Sequence, residues 1–210
     1  MQTIHPENPE FRIVEIFERL QGEGYNTGMS AVFIRLGKCN LACAWCDTDY
    51  LKFGMMRLSD ILSRLQTYAA RNIIITGGEP TIQPHLSVLL DALKAQGYRL
   101  CIETNGLKPA PVQIDYVAAS PKACYAEKYR QQCIEAADEV RIVADGDVLA
   151  FCAEMEQKIR ATHYYLSPCE IDGQMNIYDT IRQIGLLNAR ADAQVHWQLS
   201  VQTHKWAGIE

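Results

Sequence analysis

The chain alternates short apolar runs with amphipathic helical segments, and this alternation restricts the possible folds more than any other feature. Asn72–Thr76 reads Asn-Ile-Ile-Ile-Thr, a β-branched run typical of a strand buried on both faces of a parallel sheet. Pro84–Gln96 carries leucines at helical spacing and is followed by Gly97, a residue type that commonly ends helices. Strands and helices repeated in this order predict an α/β fold with right-handed crossovers.

The same pattern extends along the chain. Strands are predicted at Phe11–Phe17, Ser30–Leu36, Asn72–Thr76, Tyr98–Thr104, Tyr116–Ser120, Glu139–Val143, His163–Ser167 and Val195–Leu199. Helices are predicted at Arg57–Ala70, Pro84–Gln96, Asp147–Arg160 and Asn176–Ala189. About six or seven parallel strands are too few for a closed eight-stranded barrel, so a partial barrel and a doubly wound sheet both remain open. In either architecture the chemistry belongs at the carboxyl ends of the strands. No linker or repeat divides the sequence, which predicts a single domain over residues 1–210.

Three of the eight cysteines lie within eight residues, directly after a predicted strand. Cys39, Cys43 and Cys46 follow the pattern Cys-x3-Cys-x2-Cys, and a loop over residues 37–49 can wrap three thiolates around one centre. Three protein ligands suit a [4Fe–4S] cluster whose fourth iron is free to bind S-adenosylmethionine. This spacing, with Trp45 before the last cysteine, resembles the radical S-adenosylmethionine (SAM) superfamily.

Zinc is the competing interpretation of these cysteines. A structural zinc site is closed by four ligands, and the nearest histidines, His5 and His85, lie far from the loop in sequence. A fourth ligand from elsewhere in the chain would still complete a zinc site. The other cysteines are scattered, and Cys101 and Cys152 are predicted to be buried structural thiols.

Polar and glycine-rich segments follow several of the predicted strands. Thr76-Gly77-Gly78-Glu79-Pro80 follows one strand and resembles the superfamily's segment that meets the methionyl amino group of SAM. A plain turn is the alternative. Glu103-Thr104-Asn105-Gly106 ends the next strand in a similar way, and Ser120-Pro121-Lys122 ends another.

The charge balance restricts the partners. A net charge of −5 argues against broad electrostatic binding to nucleic acid or to an acidic membrane. No apolar run approaches the roughly 20 residues of a membrane span, and Met1 to Glu10 lacks the features of a secretory signal. The expected location is the cytoplasm, without nucleic-acid or membrane partners.

The segments that flank the cluster loop narrow the family. They are Leu20-Gln21-Gly22-Glu23-Gly24 before the loop, Cys46-Asp47-Thr48 at its end, and Gln202-Thr203-His204-Lys205 near the carboxyl terminus. Together they resemble the 7-carboxy-7-deazaguanine synthase family. That resemblance implies a partial TIM-like parallel β/α barrel of about six strands, a homodimer, and flavodoxin or ferredoxin as electron donor.

The resemblance also implies a reaction. Reductive cleavage of SAM gives a 5′-deoxyadenosyl radical, which takes hydrogen from C6 of 6-carboxy-5,6,7,8-tetrahydropterin. The ring contracts to 7-carboxy-7-deazaguanine with loss of ammonia, in the queuosine and 7-deazapurine pathway. The hydrogen then returns, so SAM is regenerated, and Mg²⁺ assists.

Individual roles follow from the resemblance alone. Thr48 offers its hydroxyl to Mg²⁺, and the three cysteines hold the cluster. The cofactor-binding residues implied are Trp45, Cys46, Asp47, Gly78, Glu79, Ser120, Pro121, Lys122, Ser167 and Pro168. The substrate-binding residues implied are Leu20, Gln21, Gly22, Arg35, Thr76, His204 and Glu210. Many relatives end in proline where this chain ends in Glu210, so main-chain and side-chain carboxylates both remain candidates for that contact.

Three alternatives remain open. A glycyl-radical activase shares the cysteine spacing, although the Leu-Gln-Gly-Glu-Gly and Gln-Thr-His-Lys segments argue against it. A zinc-stabilised binding module without catalysis is the second. Direct binding of tRNA is the third, and the acidic charge balance argues against it.

Overall fold

The computed structural model describes residues 7–171 and 173–208, except for the side chain of Trp206. The chain divides into two compact units. Among the described residues, the first unit comprises 7–20, 30–104 and 110–116, and the second comprises 21–29, 105–109, 117–171 and 173–208. No helix in the described part of the chain has the length and apolar character needed to span a membrane.

The first unit is built on five strands and two helices. The strands are β1 (Glu10–Leu20), β2 (Ser30–Leu36), β3 (Gly54–Arg57), β4 (Asn72–Gly77) and β5 (Arg99–Thr104). The helices are α1 (Leu58–Leu65) and α2 (Leu86–Ala95). The strand order is β3-β1-β2-β4-β5, with β2, β4 and β5 parallel and β1 antiparallel to both of its neighbours.

The core of the first unit follows from its apolar pattern. Ile73, Ile74 and Ile75 of β4 are fully or almost fully buried, as expected for a central parallel strand. Helix α2 buries four leucines and contacts β5, and each such side chain stabilises the fold by about 1.5–3 kcal/mol. Gly97 ends this helix in the left-handed conformation, with its N–H bonded to the Lys94 carbonyl, which confirms its predicted role.

The second unit also pairs parallel strands with helices. The parallel strands are β6 (Tyr116–Ala119, with Tyr116 at the boundary of the first unit), β7 (Glu139–Ala144), β8 (His163–Pro168) and β11 (Trp197–Leu199). A short hairpin joins β9 (Glu170–Ile171) to β10 (Gln174–Met175). The helices are α3 (Ala126–Gln131), α4 (Leu149–Lys158), α5 (Ile177–Asn188) and α6 (Thr203–Ala207). The order β11-β8-β7-β6 is parallel throughout.

One face of β7 packs into the core of the second unit. Val140 and Ile142 are fully buried in a cluster with Cys152, Met155 and other apolar side chains. Glu139 and Arg141 of β7 are charged and face the other side of the strand, since side chains alternate along a strand. Cys101 and Cys152 are both buried free thiols, as predicted.

Candidate active site

The cysteine loop is closed at its base by backbone contacts. Lys38 takes a left-handed conformation (φ 70°), and its N–H donates to the Tyr50 carbonyl at 2.8 Å. The Tyr50 hydroxyl donates to the Leu41 carbonyl at 3.1 Å, and the Gly37 N–H donates to the carbonyl of Arg12 at 2.9 Å. The loop that carries the three cysteines is therefore anchored where it leaves β2.

The three thiols differ in exposure. Cys39 and Cys43 are partly buried, whereas Cys46 is exposed. Burial raises the pKa of the Cys39 thiol, and the charges of Glu79 and Cys46 raise it further, while the Leu41 N–H, 3.4 Å from Cys39 Sγ, opposes them. Cys46 is thus near enough to Cys39 for its charge to act on that thiol.

The donor chemistry fits an iron–sulfur cluster. Thiolate sulfur is the usual ligand of [4Fe–4S] clusters, and three thiols lie on one anchored loop. Within residues 7–171 and 173–208, no three His, Cys, Asp or Glu side chains are grouped closely enough to hold a metal ion. Cys39, Cys43 and Cys46 are the residues of this loop that would hold the cluster.

The Gly-Gly-Glu-Pro segment packs on the start of the cysteine loop. The Gly78 N–H donates to the Leu36 carbonyl at 2.8 Å, and the Glu79 N–H donates to the Lys38 carbonyl at 2.9 Å. A Cβ atom at Gly78 would lie 1.9 Å from the Lys38 carbonyl oxygen, and Gly77 has a φ of 116°. Only glycine permits this close approach of two backbones, so the pair of glycines joins the end of β4 to the cysteine loop.

Glu79 is fully buried, and its carboxylate is bonded within the protein. Its Oε1 accepts hydrogen bonds from the Thr81 N–H at 3.0 Å, the Thr81 hydroxyl at 2.7 Å and the Thr104 hydroxyl at 2.8 Å. Glu79 therefore links the carboxyl ends of β4 and β5, a structural role in addition to the cofactor contact predicted for it.

Two predicted substrate residues lie side by side on the sheet. Arg35 of β2 and Thr76 of β4 are partners in the parallel register, so their side chains project from the same face. Thr76 is buried, and its hydroxyl donates to Glu103 Oε2 at 2.7 Å. No site role was predicted for Glu103, and its contact with Thr76 joins β4 to β5 through two residues that are 27 positions apart.

Arg35 and Thr48 contact each other directly. The Arg35 Nη1 donates to the Thr48 hydroxyl at 2.9 Å, and its Nε pairs with Glu15 Oε1 at 2.8 Å. The guanidinium also lies over the ring of Phe17, 5.6 Å from the centroid. The Arg35 guanidinium is thus held in one orientation beside the cysteine loop. The Thr48 hydroxyl also lies 3.5 Å from Asp47 Oδ1.

Two motifs that suggested the family are in contact within the second unit: the one that contains Gly22 and the carboxyl-terminal one that contains Thr203. The Thr203 N–H and hydroxyl both donate to the Gly22 carbonyl, at 3.0 and 2.9 Å. A Cβ atom at Gly22 would lie 2.2 Å from His204 Nδ1, so a larger residue here would displace the imidazole. Gln21 is buried next to them, whereas Leu20, at the end of β1, is 44% exposed.

The remaining predicted residues lie at strand ends or outside the described chain. The Lys122 Nζ donates to Ser120 Oγ at 2.6 Å after β6, with Pro121 between them. Ser167 is buried at the end of β8 and is followed by Pro168. Trp45 is partly buried and Asp47 exposed in the cysteine loop. Glu210 lies outside the described residues.

Sequence reasoning missed a buried ionic group in the second unit. Arg141 Nη1 lies 2.7 Å from Glu23 Oε2, and Arg141 Nε lies 2.9 Å from Glu139 Oε1. The sequence did carry a signal for this group. Glu139 and Arg141 alternate with apolar residues in β7, and the remaining four residues of the strand are uncharged.

Known proteins resemble the chain along nearly its whole length. The model of the radical SAM superfamily matches residues 33–124. The 7-carboxy-7-deazaguanine synthase of Neisseria meningitidis serogroup B is 82% identical, over 99% of this chain and 98% of its own. That of Haemophilus influenzae is 57% identical, over 100% and 99%. The crystal structure of QueE from Escherichia coli has a TM-score of 0.67 and 28% identity, and covers 92% of this chain and 94% of its own.

These likenesses confirm the predicted fold class, an α/β fold of the partial TIM-like type with a mostly parallel sheet. They also confirm the resemblance first recognised from the cysteine spacing and the flanking motifs. Membership of the radical SAM superfamily implies a [4Fe–4S] cluster and SAM as cofactors, which the three-cysteine donor set fits. The chain belongs to the 7-carboxy-7-deazaguanine synthase family of the radical SAM superfamily.

Proposed function

We propose that this chain converts 6-carboxy-5,6,7,8-tetrahydropterin to 7-carboxy-7-deazaguanine with loss of ammonia, which makes it a carbon–nitrogen lyase. The observation that carries the proposal is 82% identity, over nearly the full length of both chains, to a relative of that name. The substrate and the loss of ammonia rest on the family resemblance. The product would serve queuosine or related 7-deazapurine synthesis.

Cys39, Cys43 and Cys46 hold the [4Fe–4S] cluster in this proposal. When bound, the cluster supplies the electron that cleaves SAM to a 5′-deoxyadenosyl radical. Gly78 and Glu79 present backbone groups to SAM, and Trp45 and Asp47 border it from the cysteine loop. Ser120, Pro121, Lys122, Ser167 and Pro168 are further cofactor-binding candidates, of which the Lys122 ammonium suits the SAM carboxylate.

Arg35 and Thr76 bind the pterin in this proposal. Their adjacent positions in the parallel register support it, because one carboxylate-bearing ring can reach both side chains. The Arg35 fork suits the carboxylate of the substrate, and release of Glu15 would accompany binding. Thr48, already bonded to Arg35, offers its hydroxyl oxygen to Mg²⁺, a cation that takes oxygen ligands and retains several waters.

The segment Leu20–Gly22 and the residues His204 and Glu210 form the other set of proposed pterin contacts. The docking of Thr203 on Gly22 supports this, because it fixes the carboxyl-terminal motif beside the Gln21 amide. The proposed assembly is a homodimer, with flavodoxin or ferredoxin as electron donor. The eight free thiols are consistent with a reducing compartment, and we place the protein in the cytoplasm.

The test is an anaerobic assay of reconstituted protein with SAM, Mg²⁺, a reductant and the pterin, followed by mass spectrometry. We expect 7-carboxy-7-deazaguanine from the wild type and none from Cys43→Ala. Cys124→Ala is the matched control, because that thiol is exposed and lies outside the cysteine loop. SAM cleavage without the product would retain the superfamily and exclude the proposed substrate.

A further inference from the structure

A charged pair lies buried on the face of β7 that points away from its helices. Glu139 and Arg141 are 2% and 5% exposed, whereas most arginine and glutamate side chains in proteins are solvated. They alternate with Val140 and Ile142, which pack into the apolar core on the opposite face. The pair therefore contacts the segment that covers this second face of β7.

That covering segment is the loop between β1 and β2, residues 21–29. The Arg141 guanidinium donates through Nη1 to Glu23 Oε2 at 2.7 Å and pairs through Nε with Glu139 Oε1 at 2.9 Å. Glu139 Oε2 accepts the N–H of Tyr25 at 2.9 Å. The Arg141 guanidinium thus joins the Glu23 carboxylate of the loop to the Glu139 carboxylate. Glu139 in turn accepts a hydrogen bond from the loop backbone at Tyr25.

Further contacts fix the same loop. The Gly24 N–H donates to the Ser200 hydroxyl at 2.9 Å, and a Cβ atom at Gly24 would lie 2.3 Å from Glu139 Oε1. Two residues earlier, the Gly22 carbonyl accepts both donors of Thr203. The loop is therefore bound to β7 at one point and to the carboxyl-terminal segment at another.

Stability alone does not account for this arrangement. Removing charges from water is costly, and well-packed apolar residues often stabilise a protein as much as a buried ion pair or more. Here Arg141 lies within 2.9 Å of a carboxylate oxygen of both Glu23 and Glu139. A directional network of this kind specifies one conformation, and the conformation it specifies is that of residues 21–25.

The loop position controls the orientation of the Gln21 side chain. Gln21 Oε1 accepts the N–H of Glu23 at 3.2 Å, so the orientation of the Gln21 amide is tied to the position of Glu23. An amide held in one orientation suits a ligand with a planar heterocyclic edge. Arg141 therefore acts on Gln21 through Glu23. It binds the Glu23 carboxylate, and the Glu23 N–H binds the Gln21 amide oxygen.

We propose that Arg141 is a positioning residue, which with Glu139 holds Glu23 so that Gln21 and Gly22 meet the pterin in one fixed geometry. This inference rests on the proposed function, since it concerns binding of the same substrate. It predicts that disturbing Arg141 or Glu23 weakens pterin binding and leaves SAM binding intact.

The test uses reconstituted holoenzyme carrying Arg141→Lys or Glu23→Gln. Lysine keeps the charge but lacks the fork that reaches two carboxylates, and glutamine keeps the shape of Glu23 without its charge. Anaerobic calorimetry with SAM and with 6-carboxytetrahydropterin gives the two affinities separately. We expect pterin affinity to fall about 10- to 100-fold, the range that misplacement of a substrate contact produces, and SAM affinity to stay within about twofold.

Two further readouts separate positioning from a general loss of stability. The ratio of 5′-deoxyadenosine to 7-carboxy-7-deazaguanine should rise in both variants, because SAM is cleaved without a correctly placed pterin. Hydrogen exchange at the Gly24 and Tyr25 amides should accelerate, even without any ligand. Arg190→Lys is the matched control, since Arg190 forms a largely buried pair with Glu156 on the helix side of the unit.

The possible outcomes are distinct. If both variants bind pterin like the wild type, or if Arg190→Lys weakens pterin binding equally, the positioning role is wrong. A parallel loss of SAM affinity also overturns it. If Arg141→Lys does not fold, Glu23→Gln decides alone. Wild-type protein that binds SAM but neither binds nor converts the pterin would instead refute the proposed function, and the exchange measurement would still test the role of Arg141 in the loop.

Discussion

Close backbone approaches at single glycines hold the cysteine loop in place. Gly78 allows the end of β4 to contact the Lys38 carbonyl, and Gly37 lies against the ring of Phe53, where a Cβ atom would be 2.6 Å from the nearest ring carbon. Neither contact involves a reactive group. Both contacts set the position of the cysteine loop, so two residues without side chains control where the cluster ligands lie.

Gly78→Ala should therefore prevent cluster assembly. Its methyl group would overlap the Lys38 carbonyl oxygen, which is backbone and cannot turn aside, and the expected loss is about 3 kcal/mol of unfolding free energy. Denaturant unfolding and iron content per chain measure the two effects. Gly54→Ala is the control, because no atom lies within 4 Å of its Cβ position, and its unfolding free energy should change by no more than about 0.5 kcal/mol. Normal iron content in Gly78→Ala would contradict the assigned role.

The buried thiol of Cys152 should make stability depend on alkaline pH. Burial, and secondarily the charge of Glu156, raises the pKa of this thiol far above its ordinary value of about 8.5. The folded state keeps the proton while the unfolded chain loses it, so the unfolding free energy is lost as pH rises above about 8.5. Between about pH 8 and pH 10, wild-type protein should therefore lose more stability than Cys152→Ala. Urea unfolding at several pH values measures this difference. Equal dependence of the unfolding free energy on pH in the two proteins would contradict the prediction. Cys124→Ala is the control, because that thiol is exposed, and it should behave like the wild type.

At the scale of elements, apolar periodicity in the sequence predicted most strands and helices. It could do so because the buried residues of each element recur at a regular spacing within one short segment. The helix predicted at Arg57–Ala70 is wrong in extent, since α1 covers only Leu58–Leu65 and the preceding residue belongs to β3. Strand β3 and the hairpin of β9 and β10 were not predicted, because their short segments carry few buried apolar side chains.

The cysteine ligands and the family motifs could be predicted because each lies in a continuous segment. The Arg141–Glu23 pair could not, since its members lie 118 residues apart and only the folded loop brings them together. The same holds for Thr203 and Gly22, which are 181 residues apart.

Docking of helix α6 on the Gly22 carbonyl should contribute to pterin binding. Thr203→Val removes one of two donors to that carbonyl and keeps the shape of the side chain, which costs about 1 kcal/mol. We expect weaker pterin binding in calorimetry and an unchanged affinity for SAM. Thr67→Val is the control, because it removes a similar hydroxyl bond, to the Arg64 carbonyl, at the exposed end of α1. An equal effect of both variants on pterin binding would show that α6 docking is unimportant for the substrate.

At the scale of the whole molecule, the two units carry different parts of the proposed chemistry. The first unit holds all three cluster cysteines, the Gly-Gly-Glu-Pro segment and the Arg35–Thr76 row. The second holds Gln21, Gly22 and the carboxyl-terminal motif in mutual contact. A cofactor that binds through the cluster should therefore protect the cysteine loop from exchange before the pterin is added.

SAM should stabilise the protein only when the cluster is present. Its amino and carboxylate groups need the open iron, so the reconstituted protein gains about 2.7 kcal/mol at a SAM concentration 100 times Kd. For a chain of this size, that corresponds to a rise in Tm of roughly 5–10 °C. Anaerobic calorimetric scans of reconstituted wild type, of the same protein without iron, and of Cys43→Ala measure the three cases. The rise should occur in the first alone, whereas equal stabilisation in all three would mean that SAM binds without the cluster, and the assignment of the cysteines to cofactor binding would then fail.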